Sequence, residues 1–302
     1  MAYNLITILG PTAVGKTKIA VLLADHFNGE IISADSRQVY KGMDIGTGKD
    51  LNEYKIGEKF IPYHLIDILS PGEEFNLFMF NKLFHQSYEQ VILRMRIPFL
   101  VGGTGLYLHS VLKEYELNKT DFDKGRYEEL NNLDISSLRE LLKKLKPNQH
   151  NTTDLLIKDR IIKAILVAES DGVSAAGNNY KINSLNIGVA ADREVVKENI
   201  AKRLKYRLEN GMIQEVKKLV EEGITFEKLE FFGLEYKFIA MYLQGKLNYD
   251  ELYEKLNIAI RQFAKRQMTW FRRMEKEGIK IHWINGADYK SAEKIIIQNY
   301  GV

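Results

Sequence analysis

Short apolar runs alternate with amphipathic stretches along the first third of the chain. The apolar runs have the length of buried strands and lie at residues 5–9, 30–34, 63–68 and 97–101. Apolar side chains recur at helical spacing in residues 18–26 and 75–94. In the second of these helices we expect the core face to be Leu77, Phe80, Phe84, Tyr88, Val91 and Ile92. Strands that alternate with helices predict an α/β fold with a parallel sheet.

The alternation stops between residues 113 and 184, where the sequence is charged and helical in pattern. Residues 137–140, Ser-Leu-Arg-Glu, fit a capping box at the start of one helix. A second helix is predicted over residues 155–168. We therefore predict a mostly helical insertion of residues 113–184.

The last third of the chain returns to strands and helices. Its predicted elements are a strand at 185–190, a helical region over 193–222 that breaks near Gly211, a helix over 258–274 and a strand at 279–284. Together with the first third, these elements form a predicted core of residues 1–112 and 185–302. Four basic residues cluster in the middle of the 193–222 region, where most such charges are solvated: Lys202, Arg203, Lys205 and Arg207.

A phosphate-binding motif joins the first strand to the first helix. Residues 10–17 read Gly-Pro-Thr-Ala-Val-Gly-Lys-Thr and fit the P-loop pattern G-x-x-x-x-G-K-[ST] in its strand, loop and helix context. Glycines let such a loop point its N–H groups at an anion, and the helix N-terminus adds positive charge. We expect Lys16 to reach the outer phosphate of a di- or triphosphate and the Thr17 hydroxyl to hold magnesium. The alternative is a glycine-rich turn that binds nothing.

Two further features are predicted at the same edge of the sheet. Asp35 follows the strand at 30–34, and ligands of open parallel sheets bind outside the carboxyl ends of strands. Asp35 is therefore expected beside the P-loop, in a position that suits a catalytic carboxylate; the alternative is a helix or turn cap. Residues 102–105, Gly-Gly-Thr-Gly, form a second glycine-rich strand-to-helix junction that can face the first.

Composition narrows the classes of protein to which the chain can belong. The chain of 302 residues can bury a sizeable core, and its lack of cysteine excludes disulfides and thiolate metal sites, as fits a reducing cytoplasm. The sequence has no apolar run long enough to span a membrane and no leader-like start, so we expect a cytoplasmic protein without a membrane partner. His64 and His85 are expected to be structural. The net charge of +3 is too small to identify a partner.

The predicted helix over residues 258–274 has one strongly basic face. On a helical wheel the basic face comprises Arg261, Lys265 and Arg272, with Gln262, Arg266 and Arg273 beside them. The opposite arc comprises Ile260, Phe263, Ala264, Gln267, Trp270, Phe271 and Met274. A solvated amphipathic helix is one interpretation. Contact with a nucleic-acid backbone is the other, because phosphates would neutralise the like charges.

Several motifs resemble, in order and spacing, those of the tRNA dimethylallyltransferases. They are residues 10–17, 32–36, 40–47, 64–67, 101–107 and 261–270. The resemblance covers nearly the whole chain, whereas P-loop kinases share only the first motif. It implies a P-loop NTPase-like parallel sheet flanked by helices, with an insertion that binds the tRNA anticodon stem-loop. The implied reaction moves the dimethylallyl group of dimethylallyl diphosphate to N6 of adenine 37 in tRNAs reading codons that begin with U.

The resemblance also assigns roles to residues of this sequence. It implies that the diphosphate binds to Gly10, Pro11, Thr12, Ala13, Val14, Gly15, Lys16 and Thr17, with Mg²⁺ held at Thr17. Arg203 adds charge to the same leaving group, and Asp35 acts as the general base. The implied tRNA contacts are Asp35, Ser36, Arg37, Gln38, Thr104, Arg126, Asp159, Arg160, Ile161, Ile162, Lys163, Lys237, Arg261, Gln262, Lys265, Arg266 and Gln267.

Three stretches depart from the family pattern: residues 120–126, 156–160 and 232–237. All three lie in parts implied to contact tRNA, and the last has Lys237 where the family usually has arginine. Two other function classes stay open from the sequence. A small-molecule P-loop kinase would need ATP turnover without RNA, and a noncatalytic tRNA-binding protein would keep the P-loop as a structural turn. We expect a monomer.

Overall fold

The computed structural model describes residues 2–115, 124–145, 158–169 and 180–301. Contacts divide the chain into two compact units. The core unit comprises Met1–Glu114 and Lys181–Val302, and the helical unit comprises Tyr115–Tyr180.

The described part of the core unit is built on a parallel sheet. Its strands are β1 (Leu5–Leu9), β2 (Gly29–Ala34), β5 (Tyr63–His64), β6 (Ile97–Gly102), β7 (Ser184–Ala190) and β8 (His282–Asn285). A separate antiparallel ribbon pairs β3 (Lys55–Ile56) with β4 (Lys59–Phe60). The sheet order is β5-β2-β6-β1-β7-β8, and every pair is parallel. The carboxyl ends of all these strands therefore lie at one edge.

Both units contain helices. In chain order they are α1 (Lys16–His26), α2 (Leu77–Leu93), α3 (Gly105–Leu112), α4 (Lys124–Asn131), α5 (Ile135–Leu145), α6 (Lys158–Glu169), α7 (Arg193–Glu209), α8 (Met212–Glu221), α9 (Phe226–Phe231), α10 (Leu234–Leu243), α11 (Tyr249–Lys276) and α12 (Tyr289–Tyr300). The longest described helix, α11, begins at a capping box formed by Asn248 and Glu251. Within the described residues, every helix is too short or too polar to span a membrane.

The sheet is buried on both faces, as expected of a parallel sheet. Ile6 and Ile8 of β1 belong to a core cluster that also contains side chains of α1 and α12. Leu5 and Leu9 alternate with them and are equally buried, so they point to the opposite face. The predicted α/β fold, a P-loop NTPase-like parallel sheet flanked by helices, is confirmed.

Several predictions about the core unit are wrong in detail. The helix predicted over 258–274 begins earlier, at Tyr249, and the strand predicted at 279–284 begins only at His282. The strand predicted at 63–68 ends at His64, because Leu65 and Asp67 adopt positive φ values of 63° and 55° that a strand cannot contain. Ile92 is 44% exposed rather than buried. It lies one residue beyond Val91, and the buried stripe of α2 is too narrow to include it.

The helical unit has a small core of its own, contributed by α4, α5 and α6. Its buried residues are Leu130, Leu138, Leu142, Ile161, Ile162, Ile165 and Leu166. Helix α5 begins one turn earlier than predicted, because Asp134 Oδ1 accepts the Ser137 N–H at 2.9 Å and caps the helix there. The capping box predicted at 137–140 is therefore wrong. Helix α6 overlaps the helix predicted over 155–168 and ends one residue later, at Glu169; residues 155–157 lie outside the described residues.

Adjacent leucines on α1 offer a matched test of the core. Leu23 is fully buried in the cluster beneath the sheet, whereas Leu22 is 37% exposed. We expect Leu23→Ala to lower the free energy of unfolding by about 2–5 kcal/mol, because the lost contacts leave a cavity. The control Leu22→Ala should cost about 1 kcal/mol or less. Urea denaturation of both variants measures the difference, and equal losses would contradict the described packing.

Candidate active site

The loop between β1 and α1 has the backbone conformation that its motif predicts. Gly10 has a φ of +157°, and a Cβ there would lie 2.2 Å from the Val189 carbonyl oxygen at the end of β7. Gly15 has a φ of +83° and directly precedes the helix. Ala13 also adopts a positive φ, 64°, which costs energy for a residue with a side chain and is typical of functional loops.

Gln267 of α11 braces this loop from the far end of the sequence. Its Oε1 accepts the Thr12 N–H at 2.9 Å, and its Nε2 donates to the Gly103 carbonyl at 2.9 Å. Gln267 is buried, so it bridges the two glycine-rich junctions instead of facing RNA. The tRNA contact predicted at Gln267 is therefore wrong, and the Thr12 N–H predicted to bind diphosphate already has a protein acceptor. The helical wheel had correctly predicted Gln267 on the side of the helix opposite the basic face.

Lys16, the first residue of α1, carries a strongly perturbed charge. Burial, which is the larger cause, and the nearby Arg203 guanidinium together lower its pKa to about 7, and the Asp35 carboxylate opposes both effects. The Nζ atom donates to the Pro11 carbonyl oxygen at 2.5 Å. Lys16, Arg203 and Asp35 are thus brought into one electrostatic environment, as their separate predictions required.

Two arginines of α7 share one carboxylate beside the P-loop. Arg203 Nη2 donates to Asp50 Oδ2 at 2.9 Å, and Arg207 Nη2 donates to the same oxygen at 3.3 Å. Burial lowers the pKa of Arg207, and Arg203 adds to the lowering, whereas Asp50 opposes it. The family resemblance gave Arg203 a role, but nothing in the sequence distinguished Arg207 from the other basic residues of its cluster or gave Asp50 a role.

A small cavity connects these arginines with the P-loop. Thr12 and Ala13 line one side, and Arg203 and Arg207 line another. Glu235 of α10 also lines it, and burial raises the pKa of that carboxyl. The remaining lining residues are apolar: Ile200, Leu204, Met212 and Ile260. Nothing in the spacing of the sequence indicated Glu235, because only the fold brings α10 to this cavity.

Asp35 lies directly after the carboxyl end of β2, where the parallel topology places it near the P-loop. Its Oδ1 accepts the Arg37 N–H at 2.8 Å and the Gln38 N–H at 3.4 Å. Asp35 therefore has the predicted alternative role of capping a turn, and this role is compatible with the catalytic one, which stays a prediction. Thr104 Oγ1 accepts the Ser36 N–H at 3.2 Å and links this turn to the second glycine-rich junction.

An aromatic side chain that the sequence did not indicate lies against this turn. The Arg37 guanidinium carbon lies 4.9 Å from the centre of the Phe231 ring, a cation–π distance. Phe231 is 49% exposed although it is a large apolar residue. Gln38, in contrast, is engaged internally, because its Nε2 donates to the Gly48 carbonyl at 3.2 Å.

The basic face of α11 agrees with the helical wheel at most positions. Gln262, Lys265 and Arg266 are exposed, as are Arg272 and Arg273. Arg261 is half-buried, and among the described residues its Nε has no hydrogen-bond partner. The helical wheel predicted that Phe263, opposite the basic face, would be buried, but Phe263 is 40% exposed. Trp270 packs so closely on Gly105 that a Cβ there would lie 1.8 Å from the indole ring.

The remaining predicted tRNA contacts have mixed outcomes. Arg126 is paired with Glu169 at 2.6 Å and Glu129 at 2.9 Å, and Lys237 with Glu230 at 3.6 Å. Ile161 and Ile162 are fully buried in the core of the helical unit, so their prediction as RNA contacts is wrong. The side chains of Asp159, Arg160 and Lys163 lie outside the described residues.

The donor set suits a magnesium ion that arrives with a phosphate. Thr17 is the second residue of α1 and its side chain is partly exposed. No group of three or more His, Cys, Asp or Glu side chains in the described residues could hold a metal by itself. Magnesium commonly takes few protein ligands and completes its coordination with substrate phosphates and water, so one hydroxyl at Thr17 fits the ion.

Comparison with known proteins finds family models and relatives that all belong to one family. Residues 38–274 match the model of the family described as IPP transferase, and residues 3–59 match that described as isopentenyl transferase. The tRNA dimethylallyltransferase 1 of Geotalea daltonii is 49% identical over 300 residues, which cover 99% of this chain and 96% of that protein. The tRNA dimethylallyltransferase 2 of Syntrophotalea carbinolica is 50% identical over 291 residues, covering 95% and 96%.

Solved structures similar to this chain come from the same family. The tRNA isopentenylpyrophosphate transferase of Bacillus halodurans is 34% identical with a TM-score of 0.69, over 98% of this chain and 94% of that one. A eukaryotic dimethylallyltransferase, crystallised acting on tRNA, is 25% identical with a TM-score of 0.79, over 99% of this chain and 79% of that one. The chain therefore belongs to the IPP transferase family, the family of the tRNA dimethylallyltransferases.

Proposed function

We propose that this chain transfers the dimethylallyl group of dimethylallyl diphosphate to N6 of adenine 37 in tRNAs that read codons beginning with U. The products are N6-dimethylallyladenosine and diphosphate. The observation that carries the proposal is the convergence of Lys16, Arg203 and Asp35 at the carboxyl edge of the sheet. The tRNA dimethylallyltransferases to which the chain is similar support the reaction class.

Charge stabilisation of the leaving diphosphate does most of the work in this proposal. An adenine amino group is a poor nucleophile, so the reaction depends on departure of the leaving group. As the C–O bond of the allylic ester breaks, negative charge grows on the diphosphate. Lys16 and Arg203 neutralise that charge, and Arg207 lines the same cavity as Arg203. Fixed charges of this kind contribute strongly in a site shielded from water. Mg²⁺ bound at Thr17 would supply further neutralisation of the same oxygens.

Asp35 is the proposed general base. Its Oδ1 is fixed by the N–H groups of Arg37 and Gln38, which orients the carboxylate. Oδ2 is the oxygen proposed to accept the proton that N6 loses as the new C–N bond forms. A carboxylate here also favours the exocyclic amine over ring nitrogens that carry no proton.

Recognition of tRNA combines charge with stacking in this proposal. Adenine 37 must leave the anticodon stack to reach the allylic carbon, which costs a few kcal/mol. The exposed Lys265 and Arg266 of α11 can pair with backbone phosphates. The Arg37–Phe231 pair presents a guanidinium plane and an exposed ring next to Asp35, the kind of surface on which unstacked RNA bases stack.

The first test is a direct assay of the proposed transfer reaction. The purified chain is incubated with Mg²⁺, dimethylallyl diphosphate and an unmodified tRNA transcript, and the digested nucleosides are weighed by mass spectrometry. We expect an adenosine heavier by one dimethylallyl group, absent from a transcript with guanosine at position 37. ATP hydrolysis or a phosphorylated small molecule without this product would support the kinase. Binding of tRNA with neither product would support a noncatalytic protein.

Removing the proposed base should separate chemistry from binding. We expect Asp35→Asn to lower kcat by roughly 10²–10⁴-fold, because the amide cannot accept the N6 proton. The dissociation constant for tRNA should change by no more than a few fold. Asp250→Asn, at an exposed position of α11, is the matched control and should leave kcat unchanged. Single-turnover kinetics and filter binding give the two quantities, and near-normal transfer by Asp35→Asn would remove Asp35 from the mechanism.

The lowered pKa of Lys16 predicts a weakening of diphosphate binding as pH rises. With a pKa of about 7, Lys16 is mostly charged below pH 7 and loses its proton above it. We expect the affinity for inorganic diphosphate to fall by at least about tenfold between pH 7 and pH 9. The ligand gains negative charge over the same range, which alone would strengthen binding. Calorimetry measures the trend, and Lys16→Met should bind weakly and show no such fall.

A further inference from the structure

The glycine-rich segment of residues 42–50 is held by one carboxylate of α8. Glu215 Oε2 accepts the N–H groups of Asp44 at 2.8 Å and Ile45 at 2.7 Å, and Oε1 accepts the Gly46 N–H at 3.0 Å. Oε1 also accepts the Tyr236 hydroxyl at 2.7 Å. Hydrogen bonds from neutral donors to a carboxylate are about twice as strong as those between neutral groups, so three of them fix this segment firmly, and the fourth ties Glu215 to Tyr236 of α10.

The same segment has a second anchor. Lys49 is fully buried, and its Nζ donates to the Tyr40 carbonyl at 2.6 Å, to Asp44 Oδ1 at 2.6 Å and to Asp67 Oδ1. We call residues 44–50 the clamp loop. Glu215 holds its beginning and Lys49 holds its end.

The clamp loop lies directly against the arginines of α7. A Cβ on Gly48 would lie 1.9 Å from Arg207 Nη2 and 2.3 Å from Arg203 Nη2, so a side chain there would push both guanidinium groups out of these positions. The Gly48 carbonyl accepts Arg203 Nη2 at 3.4 Å, and Asp50 accepts both arginines. Any shift of this loop would therefore move the two charges or leave them without their acceptors.

We infer that Glu215 is a positioning residue for the reaction. It touches neither the P-loop nor a reacting atom; it holds the clamp loop so that Gly48 and Asp50 aim Arg203 and Arg207 at the diphosphate position. The inference rests on the proposed function only in taking those arginines as ligands of a diphosphate. A purely structural Glu215 would stabilise the fold without setting the strength of diphosphate binding.

Glu215→Gln tests this inference with little change in size. The amide keeps one acceptor oxygen but turns an NH₂ group toward backbone N–H donors, so the start of the clamp loop loses its fixed position. The probe is inorganic diphosphate with Mg²⁺, titrated into the full chain by calorimetry. We expect its dissociation constant to rise about tenfold, while the dissociation constant for tRNA stays within about twofold. Glu221→Gln, exposed on the same helix, is the matched control and should change neither.

A double-mutant cycle identifies the route of the effect. If Glu215 acts through the two arginines, Glu215→Gln introduced into the double variant Arg203→Ala/Arg207→Ala should weaken diphosphate binding further by less than about threefold. A full tenfold loss in that background would overturn the inference, as would unchanged binding in a folded Glu215→Gln protein. Should Glu215→Gln not fold, Tyr236→Phe removes one donor to the same carboxylate and should weaken diphosphate binding by about twofold to fivefold. Unchanged binding in that variant also overturns the inference.

These outcomes are separate from those of the proposed function. A wild-type chain that binds diphosphate but does not prenylate tRNA contradicts the proposed reaction and leaves the positioning role measurable. A wild-type chain that prenylates tRNA, with Glu215→Gln binding diphosphate normally, contradicts the positioning role and leaves the reaction in place.

Discussion

The structure depends on holding several cations close together at one edge of the sheet. Lys16 and Arg203 repel each other strongly enough to help lower the pKa of Lys16 to about 7. Arg207 adds a third charge, itself affected by Arg203. Protein oxygens surround this group, with the Pro11 carbonyl at Lys16 and the Asp50 carboxylate at both arginines. A diphosphate is the kind of ligand that offers enough negative charge to pair with all three at once.

The local parts of this site could be predicted from the sequence, because short motifs carry them. The P-loop needs only its glycines, Lys16 and the flanking strand and helix, all within one stretch of chain. Asp35 followed from one further rule, since a residue after a parallel strand lies at the ligand edge of the sheet. Arg203 was chosen by resemblance, whereas Arg207, Lys202 and Lys205 could not be distinguished by composition or spacing.

The parts that could not be predicted depend on long-range contacts. Gln267 reaches Thr12 across 255 residues of sequence, and Glu215 reaches the clamp loop across 169 to 171 residues. A helical wheel gives the angle of a side chain but not what that side chain meets. It therefore put Gln267 on the buried side correctly, yet could not show the bridge, and it put Phe263 on the buried side although no neighbour covers it fully. The strand predicted at 63–68 failed for a local reason, since apolar runs do not reveal positive φ angles.

Helix α11 connects the two substrate sites of the proposed reaction. Its buried Gln267 holds Thr12 of the P-loop and Gly103 of the second junction, while Lys265 and Arg266, two residues and one residue earlier, face solvent. A helix is stiff over such a short distance, so the surface proposed for RNA phosphates and the loop proposed for diphosphate are fixed relative to each other. Prenyl transfer needs that constraint, because the allylic carbon and N6 must approach within bonding distance and even a small misplacement slows a reaction strongly. The basic face and the buried glutamine of α11 therefore serve the same purpose in the proposed reaction, which is to fix the two substrates relative to each other.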